Sequence, residues 1–169
     1  MRVYGIVGRK NSGKTHLVTR LIDAAARRGL VVSTVKHAHH AFDVDQPGKD
    51  SYQHRAAGAT EVIVSSALRW ALLHENRDTV EPPLAELLAR LSPCDLVLVE
   101  GFKAGRHPKL EVYRNACGQP PLGSDDATVE AMAIDDASDV DTSLQRLPLD
   151  DANAVLDFIL HRLGLDSSS

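Results

Sequence analysis

The sequence predicts an α/β fold with a mostly parallel β-sheet, and three observations support this. A short apolar run at residues 3–7 leads into a glycine-containing loop and then into a segment with helical spacing of apolar residues. A second apolar, β-branched run at residues 30–35 completes a strand–helix–strand unit, whose strands are parallel. The run at residues 95–99 is almost wholly apolar, as is typical of a strand in a sheet covered on both faces.

The remaining elements follow from local signals along the chain. The first helix is predicted at residues 16–28, because Leu17, Leu21 and Ala24 recur at helical spacing and Gly29 stands where helices commonly end. Further helices are predicted at residues 51–57, 82–91 and 152–163, with Asp150 or Asp151 capping the last of them. Further strands are predicted at residues 61–65, 69–73, 110–113 and 131–134, and polar loops at residues 38–50 and 114–129.

Length and composition indicate an ordinary globular protein. The 169 residues predict one domain over residues 1–166 with a frayed tail at 167–169. A net charge of −4 without a long basic run argues against nonspecific binding to nucleic acid or anionic membranes. No visible signal peptide or long apolar stretch is present, so a cytoplasmic protein is expected, with Cys94 and Cys117 as reduced thiols.

The loop after the first strand fits the phosphate-binding pattern G-x-x-x-x-G-K-[ST] at every fixed position. Its glycines let the backbone aim N–H groups at phosphate oxygens, and the following helix presents the positive end of its dipole. Lys14 is expected to reach the β- and γ-phosphates, and the Thr15 hydroxyl to bind Mg²⁺. The nucleotide-binding residues predicted in this segment are Gly8, Arg9, Lys10, Asn11, Ser12, Gly13, Lys14, Thr15 and His16.

An acidic residue ends the apolar strand near residue 99. Glu100 is therefore the candidate for a second Mg²⁺ contact, either direct or through water, although aspartate is the usual residue at such a position. The backbone N–H of Gly101 is a candidate contact for the γ-phosphate. Lys14, Asp50 and Glu100 are the predicted catalytic residues, and Thr15, Asp50 and Glu100 the predicted metal ligands.

The segment after the second strand is rich in histidine and aspartate. It leaves the same edge of the sheet as the phosphate loop, so it is placed to act as a switch-like loop over the phosphates. Asp45 or Asp50 is expected to face Mg²⁺ or water, and Lys36 or Lys49 to offset phosphate charge. His37, His39 and His40 leave three interpretations open: metal binding, contact with substrate or phosphate, and a plain polar loop. Adjacent histidines on one loop do not easily close a metal site, so we predict no structural metal there.

Several motifs in this order resemble the MobB family of molybdopterin-guanine dinucleotide biosynthesis adapter proteins. Besides the phosphate loop they are Lys36-His37-Ala38-His39-His40, Phe42-Asp43-Val44-Asp45, Pro47-Gly48-Lys49-Asp50-Ser51 and Leu98-Val99-Glu100-Gly101-Phe102-Lys103. The resemblance is good over residues 2–113 and loose beyond them.

The resemblance implies a three-layer α/β P-loop NTPase fold and a homodimer that binds GTP and Mg²⁺ and hydrolyses GTP at most slowly. It also implies assistance to the guanylyltransferase MobA, which joins GMP to molybdopterin, a further possible ligand. By position, Lys14, Thr15, Asp50 and Glu100 lie in the nucleotide site, and Asp135 is a candidate guanine contact. The sequence contains no N-K-x-D guanine signature, so guanine preference depends on the resemblance.

Two other functions are compatible with the same loop. One is a small-molecule kinase with a hydroxyl substrate bound near residues 37–50. The other is a metal-chaperone GTPase, which the histidines motivate. Three observations distinguish these functions. A phosphorylated acceptor would indicate the kinase, and nucleotide-dependent metal binding would indicate the chaperone. Nucleotide-dependent association with a nucleotidyltransferase would indicate the adapter.

Overall fold

A computed structural model describes residues 1–38, 42–123 and 126–165. Its elements in chain order are β1 Arg2–Gly8, α1 Lys14–Arg27, β2 Val32–Lys36, α2 Asp50–Ala56, β3 Glu61–Ser65, β4 Trp70–His74, α3 Leu84–Leu88, β5 Leu96–Glu100, β6 Lys109–Tyr113, β7 Val129–Ile134, β8 Gln145–Pro148 and α4 Ala152–Leu163. The chain forms two compact units, one from Met1–His37 and Leu84–Ser169 and the other from Ala38–Pro83. A single nucleotide-binding domain over residues 1–166 stays a prediction.

The larger unit contains a six-stranded sheet in the order β2-β5-β1-β6-β7-β8, and every neighbouring pair is parallel. This confirms the predicted α/β class with a mostly parallel sheet. The register pairs Ile6 with Glu100, Lys36 with Glu100, and Gly8 with Val112. The carboxyl ends of β1, β2, β5 and β6 therefore meet at one edge, where ligands of open α/β sheets bind.

One face of the sheet is covered by α1 and α4. Both helices bury residues at helical spacing, including Leu17 and Leu21 in α1 and Leu156 and Ile159 in α4, against the sheet. Asp151 caps α4, because its carboxylate accepts hydrogen bonds from the next free N–H groups, and this selects one of the two predicted caps.

The other face of β6 carries two fully buried charged residues. Lys109 and Glu111 alternate with Leu110 and Val112, which belong to the main core, so they lie on the opposite face. The Lys109 ammonium donates to the carbonyl of Gly105 at 2.5 Å and to the Thr128 hydroxyl, and it pairs with Asp126.

The Glu111 carboxylate accepts the N–H groups of Leu122 and Gly123, each at 2.8 Å. Lys109 and Glu111 thus anchor loops on this face of the strand.

The smaller unit packs α2 beside a two-stranded antiparallel hairpin of β3 and β4. Arg55 in α2 contacts the carboxylates of Asp43, Asp45 and Glu75, and these contacts, with Glu75 foremost, raise the pKa of its guanidinium. Ile63 and Trp70 lie on one face of the hairpin, and both are about two-thirds exposed.

Three element predictions need correction. Strand β8 was not predicted, and α3 covers only Leu84–Leu88 within the longer helix predicted at residues 82–91. The predicted loop after β6 contains a short 3₁₀ turn at Asn115–Cys117. Neither α3 nor this turn contains a fully buried residue, so tertiary packing does little to extend either of them.

Within the described ranges, no helix combines the length and the apolar character needed to span a membrane. Cys94 and Cys117 form no disulfide in the structure, and both are half-buried.

Candidate nucleotide-binding site

The predicted phosphate loop connects the carboxyl end of β1 to the first residue of α1. Gly8 and Gly13 have φ angles of 150° and 97°, a region that side chains disfavour. A Cβ atom at Gly8 would also lie 2.5 Å from the carbonyl oxygen of Val112. The loop therefore requires glycine at both positions, for backbone conformation at each and for close packing at Gly8.

The amino end of α1 offers a site for anions. Gly13 caps the helix without a side-chain hydrogen bond, and the first turn contains no acidic residue. The first N–H groups of a helix lack partners within the helix, and the dipole adds positive charge there. A phosphate beside Lys14 would accept hydrogen bonds from these N–H groups and interact favourably with the positive end of the dipole.

Lys14 lies against the loop that precedes it. Its ammonium donates to the carbonyl oxygen of Arg9 at 2.5 Å. Burial lowers the pKa of Lys14, as do the nearby cations Lys103 and Lys36, while the negative charge of Glu100 opposes the shift. The contact with Arg9 folds the ammonium back over the loop.

Thr15 and Glu100 meet where β1 and β5 end. The Thr15 hydroxyl donates to the Glu100 carboxylate at 2.7 Å, and the Lys36 ammonium lies 3.2 Å from both oxygens. A hydroxyl and a carboxylate are ligands that Mg²⁺ accepts in proteins, and the ammonium shows that a cation is accommodated beside them. The structure thus brings together two of the three residues predicted to bind metal.

Gly101 and His37 are held close to Glu100 by backbone contacts. Gly101 has a φ of 93°, and a Cβ atom there would lie 2.9 Å from the Cβ of His37. Its N–H donates to the carbonyl of Ile6 at 3.1 Å, so a γ-phosphate contact would require this hydrogen bond to break. The N–H of His37 donates to the Glu100 carbonyl, and its ring packs on Phe102 with centroids 4.7 Å apart.

The two aspartates left as alternatives differ in their surroundings. Asp45 is mostly buried, and its carboxylate accepts hydrogen bonds from Ser51 at 2.9 Å and from Arg55 at 3.3 Å. Asp50 is exposed at the first position of α2, and Lys49 precedes it as the cap residue. Asp45 is therefore engaged within its own unit, whereas the metal role of Asp50 stays a prediction.

The histidine cluster is described only at His37. His39 and His40 lie outside the described residues. In the part of the chain that is described, no group of three or more histidine, cysteine or acidic side chains is arranged to hold a metal ion. The prediction that these histidines form no structural metal site is still open.

The other predicted loop residues differ in exposure. Lys10, Asn11 and His16 are exposed, whereas Ser12 is buried and its hydroxyl has no hydrogen-bond partner among the described residues. Arg9 donates to the carbonyl of Pro120 at 3.2 Å, so its side chain points toward the loop after β6 and not back over Lys14.

One residue near the loop was missed by the sequence analysis. Arg114 follows β6, and its guanidinium lies 3.7–3.8 Å from the position of a Cβ atom at Gly13. Its Nε is 3.4 Å from the carboxylate of Asp135, the predicted guanine contact. The available signal was an arginine directly after a strand at the carboxyl edge of the sheet.

Comparisons with known proteins agree on one family. The family model described as "MobB: Molybdopterin guanine dinucleotide synthesis protein B" matches residues 3–135. The molybdopterin-guanine dinucleotide biosynthesis adapter protein of Escherichia coli is 40% identical over 153 residues, covering 88% of this chain and 86% of the relative. The Haemophilus influenzae protein of the same name is 37% identical, covering 92% and 85%. The crystal structure of Bacillus subtilis MobB superposes with a TM-score of 0.74 at 27% identity, covering 96% of this chain and 98% of that one.

Proposed function

This chain belongs to the MobB family, and we propose that it acts as a nucleotide-dependent adapter in the synthesis of molybdopterin-guanine dinucleotide. One arrangement carries the nucleotide dependence: the glycine loop before α1 leads directly to Thr15, and the Thr15 hydroxyl forms the 2.7 Å contact with Glu100. Together they join a phosphate cradle to a pair of oxygen ligands for a cation. The names of the relatives support the adapter role.

The nucleotide we propose is GTP with Mg²⁺. Lys14 and the first N–H groups of α1 would hold the phosphates, and Thr15 and Glu100 would hold the metal. The metal would neutralise phosphate charge when bound. Lys36 supports this assignment, because its ammonium already places positive charge at the two oxygens.

The partner we propose is a guanylyltransferase of the MobA kind, which transfers GMP to molybdopterin. The adapter would act through its bound nucleotide, with hydrolysis that is slow and not the source of its effect. Molybdopterin itself is the further ligand that we propose. The exposed Ile63 and Trp70 support a homodimer, because apolar patches on small proteins commonly mark interaction surfaces.

Affinity between the adapter and the guanylyltransferase tests this function. Calorimetry should show that the two proteins associate when a nonhydrolysable GTP analogue and Mg²⁺ are present. Without nucleotide, the affinity between them should be at least roughly tenfold weaker. Lys14→Ala should lose this difference while the nucleotide-free affinity is kept.

Three results would contradict the proposal. The first is association that is indifferent to nucleotide. The second is a phosphorylated small acceptor, which would identify a kinase. The third is stoichiometric metal uptake that depends on nucleotide, which would identify a metal chaperone.

A further inference from the structure

Arg114 and Asp135 occupy neighbouring strand ends beside the phosphate loop. Tyr113 of β6 pairs with Ile134 of β7, so the residues that follow them are adjacent at the carboxyl edge of the sheet. The Arg114 Nε lies 3.4 Å from Asp135 Oδ2, and the two side chains are 37% and 20% exposed. Both side chains are thus only partly exposed.

The guanidinium of Arg114 faces Gly13. The position of a Cβ atom at Gly13 is 3.7 Å from Nε and 3.8 Å from both Cζ and Nη2. Three coplanar atoms at nearly equal distance place the flat face of the group over the glycine. The N–H bonds lie in that plane, so they point along the surface of the loop, where a ligand would lie, and not into it.

The pair has unused hydrogen-bonding capacity. Arg114 Nε and Asp135 Oδ1 are buried atoms, and neither has a hydrogen-bond partner among the described residues. Another ion pair on β7 is different, because Arg162 donates to both oxygens of Glu130 at 2.6 and 3.1 Å. Arg162 and Glu130 satisfy each other, whereas Arg114 Nε and Asp135 Oδ1 are buried without a hydrogen-bond partner among the described residues.

The topology shows which end of a nucleotide would reach this pair. Thr15 and Glu100, the proposed metal ligands, lie where β1 meets β5. Arg114 lies beyond β6, on the other side of β1, and Asp135 lies one strand further. A nucleotide with its metal-bound phosphates at Thr15 would therefore extend its nucleoside toward Arg114 and Asp135.

The chemistry of the pair matches guanine. Guanine presents N–H donors at N1 and N2 on its Watson–Crick edge beside the acceptor O6, and a second acceptor, N7, follows on the adjoining Hoogsteen edge. A carboxylate beside a guanidinium presents an acceptor and then a donor, in the complementary order. Adenine presents an acceptor at N1 and a donor at N6, so it would leave the buried groups of Asp135 and Arg114 unpaired.

We propose that Arg114 is a specificity-determining residue that donates to O6 and N7 of guanine while Asp135 accepts from N1 and N2. This inference rests on the proposed GTP-binding function and adds a base-reading residue to it. Asp135 has two roles in this arrangement: it binds the base and it orients the guanidinium. The contact distinguishes bases, so it contributes nothing to the binding of phosphate alone.

Calorimetry with three ligands tests the assignment: GTP, ATP and inorganic triphosphate, each with Mg²⁺. In Arg114→Met, which keeps much of the volume and removes every donor, GTP affinity should fall at least roughly tenfold. Affinity for inorganic triphosphate and ATP should stay within about twofold. Arg162→Gln is the matched control, since it breaks an ion pair at the other end of β7, and it should change none of the three affinities.

Arg114→Lys keeps the interpretation testable if Arg114→Met fails to fold. Lysine retains the charge without the planar fork, so it should still lose most of the preference for GTP over ATP. Unchanged GTP affinity in a folded variant would overturn the proposal. So would parallel losses for all three ligands, because they would mean that Arg114 supports the loop or binds phosphate. Wild-type protein that binds inorganic triphosphate but neither nucleotide would instead refute the proposed function.

Discussion

Lys14→Ala is the most direct test of the phosphate site. The Lys14 ammonium carries three donors, and one is used on the carbonyl of Arg9. The remaining two are available to phosphate oxygens. A hydrogen bond to a charged group contributes about 1.5–3 kcal/mol, so the loss corresponds to roughly a tenfold to hundredfold weaker affinity for GTP. The free energy of unfolding should change by about 1 kcal/mol at most, because alanine favours the helix and water can solvate the freed carbonyl.

The assay is calorimetric titration with GTP and Mg²⁺, with thermal unfolding to show that the variant is folded. Lys103→Ala is the comparison, because Lys103 is exposed and lowers the pKa of Lys14 through its charge alone. Loss of that screened charge should change GTP affinity by about threefold at most. Unchanged affinity in a folded Lys14→Ala protein would refute the site.

Four further predictions follow. Single-turnover assays should show that the isolated protein hydrolyses GTP at about 10⁻⁴ to 10⁻³ per second, as P-loop GTPases do without an added arginine; many turnovers per second would contradict this. Glu100→Gln should keep the contact with Thr15. Mg²⁺ should raise the GTP affinity of this variant roughly tenfold less than it raises that of the wild-type protein, while the GTP affinity in EDTA should be unchanged. An equal effect of Mg²⁺ on both proteins would exclude a metal role for Glu100. Burial lowers the pKa of His107 below its ordinary value of 6.5, with help from the charge of Lys109 and against the charge of Asp126. Below pH 6.5 the unfolded chain therefore binds more protons than the folded chain. The free energy of unfolding should accordingly fall as pH drops from about 6.5 through the pKa of His107 in the folded state. Thermal unfolding of His107→Gln should show a shallower decline over this window, and an identical decline would contradict it. Trp70→Glu should convert a dimer to monomers in sedimentation velocity if the hairpin forms the dimer interface, and a persisting dimer would place the interface elsewhere.

The fold could be predicted where local signals were strong. The phosphate loop is contiguous and lies between an apolar strand and a helix with regular spacing, so motif and context agree. Strand β8 had no such signal, because its residues are mostly exposed and it ends at Pro148. Proline is tolerated at a sheet edge, and pairing with β7 is what defines this strand.

Buried charge made β6 difficult to interpret. Lys109 and Glu111 alternate with apolar residues, a pattern that indicates a strand with one face in water. Both are fully buried in the structure, because loop segments cover that face and neutralise them with hydrogen bonds and an ion pair. The partners come from residues that carry no periodic pattern, so sequence reasoning could not identify them.

Only the part of the candidate site around Thr15 and Glu100 could be predicted from the sequence. Glu100 follows an apolar strand, and the rule that parallel strands end at one edge brings it to Thr15. Arg114 acquires its importance from the position of β6 between β1 and β7, and no short motif encodes that order. Asp135 was chosen by resemblance, and its contact with Arg114 could not be predicted without the sheet order.

The central position of β1 has a consequence for how the protein is made. This strand is synthesised before both of its neighbours, β5 and β6, with Arg2 opposite Leu96 and Gly5 opposite Lys109. The sheet therefore cannot close around β1 until more than half of the chain has left the ribosome. Contacts between residues so distant in sequence slow folding, and they leave an apolar strand unpaired during synthesis. A nascent chain that stops before β6 should accordingly be sensitive to protease and unable to retain nucleotide, although it already contains the entire phosphate loop.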